Sequence, residues 1–124
     1  MKTTQKKVMS AFMVITRMQT KPIPSLTAYK LFRLKKALAD NVEFQAEEEK
    51  KLVDELKGTI SPEGNITFEK PVDQVAFLTK RAEMEKLECD VGIDRVTFKA
   101  NELPEMSVAD IEALDDFIEI TEVL

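Results

Sequence analysis

The stretch from residue 25 to residue 58, SLTAYKLFRLKKALADNVEFQAEEEKKLVDELKG, decides the fold. Residues 25 to 57 hold neither glycine nor proline, the two residues that most disfavour a helix interior. Ser25 is placed to cap the start, its hydroxyl accepting from a backbone N–H one turn on. Gly58 suits the stop, because glycine takes the left-handed position after a helix cheaply. The span predicts a helix of about 50 Å at about 1.5 Å per residue. Leu31, Leu34 and Leu38 make one apolar seam, and Leu52 and Leu56 resume it at heptad-compatible spacing. Gln45 and Glu48 fall on the same seam between them. Both ends of the helix should therefore be buried, with the middle wet or paired with polar groups. A break near Asn41 is the alternative. A helix this long exceeds what one small core covers, which motivates self-association.

Upstream, residues 4 to 18 read as another helix, with Val8, Phe12 and Ile15 at i, i+4 and i+7. Met9, Met13 and Val14 extend its apolar surface almost all the way round, so it is either enclosed or at an interface between copies. Pro22 and Pro24 then stop regular structure. Downstream, Thr59–Phe68 reads as a β-hairpin, with Pro62 at the second turn position and Gly64 supplying a positive φ. Pro71 suits the first turn of a third helix with the stripe Val75, Leu78, Ala82 and Leu87. Val91 to Ala100 alternates as a strand with a bulge at Asp94-Arg95, the expected third partner for the hairpin. Ser107 caps a last helix, with Asp110 in its first turn and Val108, Ile111, Leu114 and Ile118 as the buried stripe, flanked by Phe117. The expected fold class is α+β: mostly helical, one long helix and three others packed with a small antiparallel hairpin and a third strand, in a single domain over residues 1–124.

Composition narrows the chemistry. Apolar residues are 44% and charged residues 33% of 124, a globular balance. Histidine is absent, which removes the commonest general base and the usual zinc nitrogen. The single Cys89 can close no internal disulfide, fits a reducing compartment and reads as an inert buried thiol. Lys2, Lys6 and Lys7 before Val8–Ile15 mimic a secretory signal, but Arg17 and Lys21 follow at once without a small-residue cleavage site, so export is not expected. No stretch reaches the roughly 18 apolar residues of a membrane helix.

Charge is sorted by position. The first 39 residues hold nine Lys or Arg and no acid; after Lys99 there are eight acids and no base. The net charge of −5 conceals this polarity. Lysines near the start of the long helix, and Glu119 and Glu122 near the end of the last one, face unfavourable dipole ends. Both penalties relax if the two regions meet, within a subunit or across a dimer.

The second half of the chain resembles a family of short, uncharacterised proteins encoded by tailed phages and prophages of Gram-positive bacteria. The likeness covers residues 25 to 120. It rests on the long charged helix, the acidic turn at Gly64, the passage from Glu85 to Ile93, Val96-Thr97-Phe98 and above all Met106 to Ile118. The N-terminus departs from the family's pattern. The resemblance implies a viral origin, a place in the cytoplasm of an infected or lysogenic bacterial host or in the virion, and a non-enzymatic part. It carries no catalytic residue.

Two constellations remain. Tyr29, Lys30, Arg33 and Lys36 share a basic face on the long helix and could hold an anion, with Tyr29 stacking on a base. Glu112, Asp115, Asp116 and Glu119 at i, i+3, i+4 and i+7 would form an acidic face, but hard cations need ligands converging from loops. The acidic balance opposes nonspecific DNA binding. The expectation is a protein without catalysis, cofactor or metal. It acts by protein–protein binding in virion assembly or host takeover, as a homo-oligomer that also engages a phage or host protein. Phe12, Ile15, Leu31, Leu34 and Leu38 are the expected interface. The alternative is a protein that sequesters a nucleotide or other anion. Neither membrane nor nucleic acid is an expected partner.

Overall fold

The computed structural model describes residues 2–121. In chain order the elements are β1 (Lys2–Thr4), α1 (Gln5–Met18), α2 (Ser25–Glu55), β2 (Thr59–Ile60), β3 (Ile66–Thr67), α3 (Pro71–Glu85), β4 (Glu88–Asp90), β5 (Val96–Lys99), a 3-10 turn (Ala100–Glu102), α4 (Val108–Leu114) and β6 (Ile118–Thr121). The fold is α+β and mostly helical, as the periodicities predict.

Helix α2 runs unbroken through Asn41 for 31 residues. Its ends differ from expectation. Pro24 occupies the cap position without a side-chain hydrogen bond, so Ser25 is the first helical residue and caps nothing. At the far end Lys57, not Gly58, takes the left-handed conformation, with φ 55°. The Gly58 N–H then reaches back 2.8 Å to the Val53 carbonyl, closing the helix in a Schellman-type turn. Gly58 is needed for space instead: a Cβ there would lie 2.5 Å from the Phe68 ring.

Two apolar clusters hang on this one helix. The larger takes Val8, Ala11, Val14, Ile15 and Met18 from α1 and Leu31, Leu34 and Leu38 from α2; Val91, Phe98, Leu114, Phe117 and Ile118 close it. The smaller joins Leu52 and Val53 of α2 to Phe77 of α3. Fully burying such a side chain stabilises by about 1.5–3 kcal/mol, so the first cluster dominates. Gln45 lies between them, buried, as the polar middle of the seam predicts. Gln5 of α1 donates through Nε2 to its side chain and, at 2.8 Å, to the Asn41 carbonyl.

The strands pair differently from expectation. They form three separate two-stranded sheets: β1 with β4 antiparallel, β2 with β3 as the predicted hairpin, and β5 with β6 parallel. In the hairpin the Gly64 N–H donates to the Ser61 carbonyl at 2.9 Å, and Gly64 has φ 86°. The Val91–Ala100 segment is not one bulged strand. Its first residues, Val91 to Arg95, are loop; β4 ends before it at Asp90 and only Val96–Lys99 is strand. β4 and β5 serve different sheets, and neither pairs with the hairpin. The last helix is shorter than its stripe suggested: it ends at Leu114, and Ile118 begins β6. Ser107 does cap it, accepting from the Asp110 N–H at 3.1 Å. Val108 and Ile111 face solvent. Parallel pairing of β5 and β6 needs a crossover, and α4 supplies it.

Helix α3 turns the other way round from its predicted stripe. Phe77 is its buried anchor, its ring tilted 42° to that of Phe68 with centroids 5.4 Å apart, while Val75, Leu78, Ala82 and Leu87 are exposed. The Phe77 ring buries more apolar area in that small cluster than any one of those four aliphatic side chains would.

Candidate functional site

Front cations and rear carboxylates do meet, inside the protomer. Lys7 lies 3.0 Å from Asp116, Arg17 2.9 Å from Asp110 and Lys30 3.2 Å from Glu102. These pairs fasten α1 and α2 to the C-terminal elements. Of the predicted dipole partners, Glu119 is exposed on β6 and Glu122 lies outside the described residues.

The same packing corrects the expected interface. Ile15, Leu31, Leu34 and Leu38 have no exposed surface, and Phe12 packs against their cluster. These five residues are core and its margin, so a contact between copies must use other side chains.

Such side chains stand on the opposite face of α2. Leu26, Tyr29, Phe32 and Phe44 are 61%, 56%, 53% and 48% exposed. Tyr29 and Phe32 lie with ring centroids 6.5 Å apart. Together with Arg33 and Lys36 they form one wall of a hollow of about 540 Å³, and Ile93 and Asp94 from the β4–β5 loop form the other. The Arg33 guanidinium points its Nη1 at the Tyr29 hydroxyl, 3.5 Å away.

Three of the four predicted anion-binding residues, Tyr29, Arg33 and Lys36, thus line one concavity. Lys30 does not. Its ammonium donates to the Thr97 carbonyl at 3.0 Å and sits 5.1 Å above the Phe98 ring, committed to the Glu102 pair. Phe32 and the Ile93-Asp94 wall were not legible as site residues. One is a single exposed aromatic on an amphipathic helix; the other comes from a loop some sixty residues along the chain.

The predicted acidic face does not assemble, because α4 ends before Asp115. Asp116 accepts from the Thr3 hydroxyl at 3.1 Å and binds Lys7, while Glu119 stands on a strand. Among the described residues no group of three or more Cys, Asp or Glu is arranged to hold a metal. Cys89 is half-buried; burial first, and then the neighbouring Asp90 carboxylate, push its thiol up, so little of it is nucleophilic thiolate. A second exposed apolar strip, Val72, Val75 and Leu78, runs along α3.

Comparison with protein-family models, curated proteins and solved structures yields no match to this chain. Among the described residues no helix is long and apolar enough to cross a membrane.

Proposed function

We propose that this chain is a non-enzymatic accessory protein of a phage or prophage that acts by protein–protein contact and self-associates. The outward face of α2 carries this reading: Leu26, Tyr29, Phe32 and Phe44 are each about half exposed or more, and two of them, Tyr29 and Phe32, line a hollow. Single exposed apolar residues are ordinary, whereas a rimmed group of them marks a contact surface. The hollow offers a phenol and one carboxylate but no nucleophile paired with a base, which suits binding rather than turnover. The viral setting, in virion assembly or host takeover, rests on the resemblance of residues 25 to 120. Sedimentation velocity at tens of micromolar tests self-association: a concentration-dependent heavier species is expected, and a strict monomer overturns it.

A second reading rests on Tyr29, Arg33 and Lys36 lining the same hollow. A nucleotide could stack on Tyr29 and place phosphate at the two cations. Asp94 on the facing wall opposes that negative charge, which is why protein contact ranks first. Thermal unfolding with a nucleotide panel separates the two. A melting-temperature rise that Arg33→Ala abolishes would favour the anion; no rise with any nucleotide removes it.

A further inference from the structure

We infer that the α2 face is filled by a second copy of the chain, docked antiparallel about a two-fold axis that passes between Lys36 and Ala37. This rests on the self-associating reading above and specifies its surface and register. The argument begins with charge order inside one helix. From Ser25 to Ala39 every charged residue of α2 is basic, and from Asp40 to Glu49 every one is acidic. Antiparallel docking sets each basic half against an acidic half, twice over. Parallel docking would set like against like.

The register follows from symmetry. Arg33 and Asp40 each lie three and a half residues from the Lys36/Ala37 midpoint, and Tyr29 and Phe44 each lie seven and a half. Those offsets are close to one and two helical turns, so all four project from the face that holds the midpoint. The two-fold brings Arg33 opposite the partner's Asp40 and Tyr29 opposite the partner's Phe44, and symmetry repeats both contacts. The partner's Phe44 then enters the hollow beside Tyr29 and Phe32. Among the described residues Arg33, Lys36 and Asp40 have no ion-pair partner within the protomer, although Lys7, Arg17 and Lys30 all do. The aromatic pairs supply the affinity, and the ion pairs fix the direction. The contact spans only about 22 Å of helix at about 1.5 Å per residue, which fits a reversible dimer.

Charge reversal and mixing test the register by sedimentation velocity on the full chain at tens of micromolar. Arg33→Asp sets two acids together across the axis, and Asp40→Arg sets two bases together; both positions are exposed, so circular dichroism should stay native. The wild type should dimerise, each variant alone should be monomeric, and an equal mixture of the two should recover the dimer as a heterodimer. In a Cys89→Ser background, Ala37→Cys should form an intermolecular disulfide on mild oxidation and Lys50→Cys should not. A wild-type dimer that both variants retain leaves self-association standing and overturns this surface. Loss in both variants without recovery on mixing overturns the antiparallel register. A wild-type monomer overturns both the inference and the reading beneath it.

Discussion

Gln5 of α1 and Gln45 of α2 meet side chain to side chain, Nε2 to Oε1 at 3.3 Å, at the point where the larger apolar cluster ends and the smaller begins. Leu31, Leu38, Gln45 and Leu52 recur every seven residues on one seam, so the glutamine replaces what would be a leucine. Gln45 passes the chain of bonds to Glu49 at 3.3 Å, while Gln5 keeps a buried Oε1 with no partner among the described residues. Replacing only Gln45 by Ala should destabilise by about 1–3 kcal/mol, since it strips a partner from a buried amide. The double variant Gln5→Leu/Gln45→Leu should be near neutral, because both buried amides go together and the acceptors that lose a bond, on Asn41 and Glu49, belong to half-buried residues. Urea denaturation of both measures the contrast.

Leu34 has no exposed surface and lies in the larger cluster. Leu34→Ala should cost about 2–5 kcal/mol of stability, the range for truncating a core leucine. Chemical denaturation reads that loss. A variant with wild-type stability and altered self-association would return Leu34 to the interface.

Lys57 and Gly58 invert the usual helix-end expectation. Lys57 holds φ 55°, a conformation glycine adopts without a Cβ penalty. Lys57→Gly should therefore raise stability by about 0.5–1 kcal/mol. Gly58→Ala should lower it, because the new methyl meets the Phe68 ring. Thermal melts of the two variants should move in opposite directions.

Arg17 is paired with Asp110, yet its side chain is 65% exposed. Arg17→Ala should change stability by no more than about 1 kcal/mol, and the difference should shrink in high salt. Urea titrations at two ionic strengths check this.

Glu102 contributes to the pH dependence in acid. The Lys99 backbone N–H, bonded at 3.2 Å, and then the Lys30 ammonium hold its carboxyl below the ordinary glutamate value. A carboxyl that ionises more readily folded than unfolded favours the folded state once pH exceeds the unfolded value. That contribution fades as pH falls through the folded value. Glu102→Gln should flatten stability across this acidic window and change its slope little near neutrality. Stability measured against pH in the two proteins decides it.

Helix positions in this chain were legible because helical periodicity is local. The seam of Leu31, Leu34 and Leu38, the polar step at Gln45, the start at Pro71 and the Ser107 cap each depend on residues within a turn or two. The β6 strand reads from its sequence as the end of the last helix, although Ile118-Glu119-Ile120-Thr121 alternates and is rich in β-branched residues. The helical spacing of Ile111, Leu114 and Ile118 fits the same residues, and only the pairing with β5 decides between them. For α3, Val72, Val75 and Leu78 compete with Phe77 for the buried side, and a stripe alone does not say which neighbour is waiting.

Local order along the chain determined the helices, the hairpin turn and the separation of positive from negative charge. Tertiary packing decided which cation met which carboxylate, that one face of the greasy first helix would be buried against α2 and α4 while Met13 stayed exposed, and that a loop from beyond α3 would make Tyr29, Phe32, Arg33 and Lys36 one wall of a hollow. The physical reason is range. Backbone preference and side-chain period act over a few residues, whereas burial and pairing depend on surfaces that only the folded chain brings together.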